Sequence, residues 1–190
     1  MFKTLVTVGF CALLGACATP ARTSAMVATA DNTAPVNAGL QRAILLGGTF
    51  GGEETSPLWT SEIGNPEFKE ALQQSLELRG LLASGAGQYK LEATIMDVDQ
   101  PLIGFDATVK TTVHYVLTEV ATNKIVDDRT IEASHTATVS DAFVGVERLR
   151  LANEGAAKNN IAAYLDQLTR EFKPSTASPT SQLESAVTLG

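Results

Sequence analysis

Cysteine is almost missing from this sequence, which has two among 190 residues, Cys11 and Cys17. Both lie at the amino terminus, so no disulfide can staple the remainder, and a thiolate zinc site is excluded there. Histidine is as scarce, with only His114 and His135, and aromatic residues make up 6% of the chain with a single tryptophan. No apolar run reaches the ~20 residues that a permanent membrane-spanning helix needs. Positive charge is also short. The net charge is −7, and Lys3 is among the few cations. An acidic chain of this kind is not matched to nucleic acid or to anionic headgroups by bulk attraction. The sequence holds no Gly-x-Ser-x-Gly elbow, no Ser-x-x-Lys pair and no hexapeptide repeat. It is therefore read as a non-enzyme without a cofactor.

What is present begins at the amino terminus. Lys3 precedes a short apolar stretch from Leu5 to Leu14, and small residues follow. A positive start, a short apolar centre and small residues make a secretory signal. Leu14-Gly15-Ala16-Cys17 resembles the cleavage box of bacterial lipoproteins. That resemblance implies cleavage before Cys17 and a diacylglyceryl thioether on its sulfur, usually with a further acyl chain on the new amino group. Two or more chains anchor stably, since each buried CH₂ contributes about 0.8 kcal/mol. Ala18 rather than Asp after the cysteine favours the outer membrane.

The organisation expected is a signal peptide at 1–16, a lipidated Cys17 and flexible tether at 17–39, a folded domain at 40–173 and a disordered tail at 174–190. Residues 18–38 are mostly Ala, Thr and Pro with few large apolar groups, and 174–190 are rich in Ser, Thr and Pro. A domain of the intermediate size buries about two-thirds of its unfolded surface and folds without staples.

Within the domain, Arg42 to Leu46 reads as a buried strand, and a long glycine-rich acidic loop is expected from Gly47 to Gly64. Asn65-Pro66-Glu67 signals a helix start, Phe68, Leu72, Leu76 and Leu82 form its stripe, and Gly85-Ala86-Gly87 closes the segment. Tyr89 to Met96 and Phe105 to Val120 alternate with period two, as half-buried strands do. A turn at Thr122-Asn123-Lys124 leads to a returning strand from Ile125 to about Thr138. A three-residue loop places Tyr115 opposite Ile131 and Val113 opposite Ala133, aligning the apolar faces. A last helix is expected from the Ser140-Asp141 cap to about Lys173. The order is β-α-β-β-β-α. The fold expected is α+β, a two-layer sandwich in which a single, mostly antiparallel four-stranded sheet carries two helices on one face.

Few positions invite chemistry. Gly47 and Gly52 have phosphate-loop spacing, but Glu53 stands where a lysine is needed. The preferred register puts His135 and His114 on opposite sides of the sheet, so they cannot share a metal. Asp97, Asp99, Asp127 and Asp128 read as solvated turn acids. Arg42, Arg129, Arg148 and Arg150 are isolated along the chain; a basic spot for a phosphate or sugar acid could be built from them, but they read as salt-bridged surface. Phe50, Leu58 and Trp59 lie in one segment that cannot easily bury all three, and they read equally as a satellite of the core or as a partner contact.

A cleavage box, a tether and this element order are similar to the small Gram-negative envelope lipoproteins that include the lipopolysaccharide-assembly lipoprotein. Penicillin-binding-protein activator and curli-secretion lipoproteins have related layouts. The likeness lies in the apolar spacing of Phe68 to Leu76 and of Tyr115-Val116-Leu117 before the Thr122-Asn123 turn. It implies an outer-membrane-anchored periplasmic accessory or binding subunit in envelope assembly or lipid transport, with an envelope protein as partner. A lipid- or glycan-binding module, using the groove between helices and sheet or the Phe50–Trp59 segment, is the alternative. Replacement of the anchor thiol separates these readings from a freely soluble product. Cys17→Ser expressed in a Gram-negative host should leave an unprocessed precursor without lipid label, whereas normal processing and membrane fractionation would contradict lipidation.

Overall fold

The structure is a computed structural model that describes residues 19–29, 37–55, 61–100 and 105–173. Its elements are α1 (Thr23–Met26), β1 (Ile44–Phe50), α2 (Asn65–Leu78), β2 (Tyr89–Asp99), β3 (Ala107–Glu119), β4 (Lys124–Ala137) and α3 (Gly145–Glu171). The strands form one sheet in the order β1-β2-β3-β4. β1 runs parallel to β2, and the other two pairings are antiparallel. One face of the sheet is apolar: Tyr89, Leu91, Ala93 and Ile95 of β2 and Val113, Tyr115 and Leu117 of β3 are buried. They pack with Phe68, Leu72 and Leu76 of α2 and Ile161, Leu165 and Leu168 of α3 in one core. Lys90, Thr108, Lys110, Thr130, Glu132, Ser134 and Thr136 line the other, open face. The expected α+β sandwich with its helices on one side of a four-stranded sheet is what forms.

The amino-terminal segment differs from expectation. Residues 17–39 were expected to be a flexible tether, yet Ala21, Met26 and Ala28 are buried in the same core as α2 and α3. The Ala21 amide donates to the Glu62 carbonyl at 3.2 Å, and the Ala28 amide donates to Ser75 Oγ at 2.9 Å. The physical reason is space to fill. The two helices that cover the sheet leave room beside one another, and Met26, the largest apolar side chain of the segment, packs against both. A low average of apolar residues concealed one well-placed methionine.

The β3–β4 register also differs. Val113 lies opposite Ile131 and Tyr115 opposite Arg129, with a shift between Leu117 and Thr118. Glu119 pairs with Lys124 around a four-residue connection, 120–123, instead of the expected three. Asn123 adopts φ 56° and its amide donates to the Glu119 carbonyl at 2.9 Å, which closes the turn. The turn displaces the pairing by three from expectation and the extra residue at Val126 restores one, so the net shift is two. A shift of two leaves each side chain on its own face, so the apolar side is unharmed.

Helix ends follow local chemistry. Gly80, at φ 66°, ends α2 by donating to the Glu77 carbonyl while Leu81 donates to Leu76. The helix thus stops before Leu82, the last residue of its expected stripe, which instead bridges to Ile44. α3 starts at Gly145, five residues past the expected Ser140 cap. Asp141 is used elsewhere: its carboxylate accepts from the Thr138 amide at 2.7 Å and from the Thr138 hydroxyl at 2.8 Å. These bonds hold the Asp141 carboxyl below its ordinary pKa, the backbone bond contributing most.

α3 is clamped to the sheet by polar groups inside the core. Asn160 is buried, donating to the carbonyls of Thr111 (3.1 Å) and Ile131 (2.8 Å) and accepting from the Tyr115 hydroxyl (2.9 Å). The Thr111 hydroxyl reaches the Ala156 carbonyl of α3 at 3.3 Å. Nearby, Ala107, Val109, Ala137, Ala152 and Ala156 make a small alanine-rich cluster that lets the helix lie close. Asn160→Ala removes three bonds and leaves buried groups unpaired, and should lower unfolding free energy by about 3 kcal/mol in urea titration.

The Tyr115 and Tyr164 rings stack with centroids 3.9 Å apart. Burial pushes both hydroxyls well above the ordinary tyrosine pKa. A raised acid pKa favours the neutral folded form, so this contribution is complete below about pH 10 and is lost as pH rises beyond it. Tyrosinate absorbance from these two residues should appear only together with loss of far-ultraviolet circular dichroism. Full tyrosine titration in a still-folded protein would contradict the packing.

Candidate functional site

Four segments meet where the amino-terminal stretch enters the domain: Thr19–Arg22, Ser61–Glu62, Gln100 after β2, and the first half of α3. Ser61 is their hub. Its hydroxyl donates to the Thr19 carbonyl at 2.8 Å, and its own carbonyl accepts from Gln100 Nε2 at 3.2 Å and from Asn153 Nδ2. Gln100 also donates to the Glu62 carboxylate at 2.8 Å. Ser61 and Asn153 are fully buried, so these bonds form in a low dielectric, where leaving either partner unmade is costly.

Beside the hub lies a buried charge network. Glu154 is the acceptor at its centre. It receives the Arg22 amide at 2.9 Å, Arg22 Nε at 3.0 Å and Nη2 at 3.2 Å, and Arg150 donates to it from one helical turn away. Arg150 also pairs with Glu147. The hydrogen bond to Glu154, followed by its charge, raises the Arg22 pKa above its ordinary value. Arg150 and Glu154 are buried, and a buried carboxylate is tolerated only when paired in this way. The i,i+4 spacing of Arg150 and Glu154 was visible in the sequence. Arg22 was not, because it stood in a stretch read as tether.

A cavity of about 460 Å³ opens next to the junction, lined by Pro20, residues 52–55, Gly64, Asn65, Pro66 and Glu67. Its carboxylates, Glu53, Glu54 and Glu67, face no basic lining residue, which makes it unsuited to a phosphate. The phosphate-loop spacing fails structurally as well, since Gly47 and Gly48 belong to β1 rather than to a loop.

The residues singled out by sequence are scattered. Cys17, Leu58 and Trp59 lie outside the described residues. Phe50 is 52% exposed at the end of the edge strand β1. His114 Nε2 meets Asp128 Oδ1 at 2.7 Å on the open face, whereas the His135 ring packs against Gly155 of α3. Their opposite placement is as expected. Among the described residues no group of three metal-ligating side chains occurs, and no helix is long and apolar enough to cross a membrane.

Arg129 and Arg150 are salt-bridged as expected, whereas the burial of Arg148 and Arg150 and the pairing of Asp127 depart from expectation. Arg129 pairs with Asp127 and Glu171, so Asp127 is not a solvated acid. The Arg148 guanidinium donates to the carbonyls of Ala142 (2.8 Å) and Phe143 (3.2 Å). In the space between helices and sheet, considered for a lipid or glycan, the side chains of α2, α3 and the strands pack into one buried core. What the junction does chemically is hold the amino-terminal segment against the domain.

No known family model matches the sequence, and no characterised protein matches it significantly. The structure is similar to solved structures. One is a protein of the DUF330 family from Xanthomonas campestris, 12% identical, with a TM-score of 0.57 over 75% of this chain and 91% of that one. A putative lipoprotein from Caulobacter crescentus is 15% identical, with a TM-score of 0.48 over 70% of this chain and 92% of that one. A minor lipoprotein from Acinetobacter baumannii is 12% identical, with a TM-score of 0.43 over 68% of this chain and 94% of that one. At these identities the likeness is one of fold.

Proposed function

We propose that this chain is a lipoprotein anchored in the outer membrane through Cys17, on the periplasmic side, and serves as a non-enzymatic accessory or binding subunit in envelope assembly or lipid transport. The observation that carries the reading is the junction: two residues after the Leu14–Cys17 box, the chain is bonded to Ser61 and then to Glu154. A domain that grips the residue next to its anchor is built to be held at a membrane in one pose. The buried charges of the junction are consumed in that grip, which supports a positional rather than a catalytic role.

The partner is an envelope protein, and Phe50 is its contact on this chain. An apolar ring more than half exposed on an edge strand suits an interface. A photoreactive residue at position 50, crosslinked in living cells, should give a discrete adduct with an envelope protein that disappears in the Cys17→Ser background. No adduct, or the same adduct without the anchor, would contradict the reading.

A further inference from the structure

The point at which the amino-terminal segment enters the fold fixes which end of the domain lies near its anchor. Thr19 is held by Ser61, which is bonded to Gln100 just past the end of β2 and to Asn153 of α3. Cys17 is two residues from Thr19, so their Cα atoms can be no more than about 7 Å apart. The lipid on Cys17 is therefore confined to the end of the molecule where β2 finishes, β3 starts and α3 begins.

That same end carries a group of exposed apolar side chains. Phe105 lies two residues before β3 and Phe143 two residues before α3, and each is 89% exposed. Val139 and Val144 beside them are also exposed. Phe68 and Phe172 are buried, and the other exposed large apolar side chains, Phe50, Leu78, Met96, Val120 and Ile125, reach at most 61% exposure, so these two rings are the most exposed apolar groups among the described residues. The turn that presents Phe143 is held firmly. Arg148 donates to the carbonyls of Ala142 and Phe143, and Asp141 closes the turn on Thr138. Arg148 is mostly buried in that task, while Asp106 and Asp141 flank the patch as exposed acids. Attraction to this surface would therefore be apolar rather than electrostatic.

We propose that the end of the domain bearing Phe105 and Phe143 is a bilayer-contacting surface, with both rings set among the lipid headgroups and upper acyl chains beside the Cys17 anchor. The inference rests on the anchored reading above. The occupant is lipid because the two-residue leash brings the bilayer to this end whether or not a partner is bound. Exposed rings of this kind settle at the membrane interface once an anchor has removed the cost of getting there.

The test uses the full lipidated protein. The thiol of Cys17 is consumed by its thioether, so Phe105→Cys, Phe143→Cys and Ile125→Cys each carry one free thiol for an environment-sensitive nitrobenzoxadiazole label. Ile125 is half-exposed at the opposite end, at the start of β4. On vesicles of phosphatidylethanolamine and phosphatidylglycerol, the labels at 105 and 143 should brighten several-fold, shift to the blue and be quenched by doxyl lipids. The label at 125 should stay as it is in water. Flotation with the vesicles reports the anchor separately. Flotation with water-like emission at 105 and 143 overturns this inference alone, and loss of flotation overturns the anchor reading and the inference with it. Labels that are shielded in native outer-membrane fractions but not on pure lipid identify a protein occupant and also overturn the lipid assignment.

Discussion

A four-stranded sheet with one apolar face must be covered on that face, and the two helices that cover it leave a gap between themselves that the amino-terminal segment packs into. The rest of the structure follows from how the gap is closed. Met26, with Ala21 and Ala28, enters the space beside α2 and α3 and completes the core. Burying a methionine side chain fully is worth roughly 1.5–3 kcal/mol, a sizeable part of the 5–15 kcal/mol by which domains are stable. The segment must also satisfy its backbone as it enters, and Ser61, Glu62, Ser75 and Glu154 supply the partners. Packing and hydrogen bonding thus fix the same eight or so residues twice over.

That fixation changes what an amino-terminal lipid would mean for the domain. A long flexible tether would let the domain sample any orientation above the membrane. A chain gripped two residues from its anchor cannot. With a lipid on Cys17, one end would be held down, and the open sheet face and the β1 edge would stand at a set angle to the surface. Function in such a molecule lies in placement. To a partner the grip would offer a preset surface and a lower orientational cost of association.

The fold was largely legible in the sequence because its strands and helices obey simple periods. Tyr89 to Ile95 and Ala107 to Leu117 alternate as half-buried strands do, and Phe68, Leu72 and Leu76 recur as a helical stripe. What escaped reading depended on tertiary contact. Asn153 and Asn160 interrupt the apolar stripe of α3, yet both are buried because the sheet and the Ser61 loop present groups to bond. Asp141 looked like a helix cap and is spent on Thr138. The hairpin register turned on the displaced turn and on one extra residue at Val126, which no local pattern signals. Met26 and Arg22 were hidden by the bland composition around them. Of the candidate site, only the Arg150–Glu154 spacing was open to sequence reasoning; the junction itself joins residues up to 132 positions apart.

The central claim is that residues 19–29 belong to the folded domain. Hydrogen exchange of the mature, full-length protein measures this directly. The Ala21 and Ala28 amides, which donate to the Glu62 carbonyl and to Ser75 Oγ, should exchange at least about 100-fold more slowly than in an unstructured peptide. Exchange of both at the unstructured rate, with the β2 and β3 amides still protected, would contradict the account.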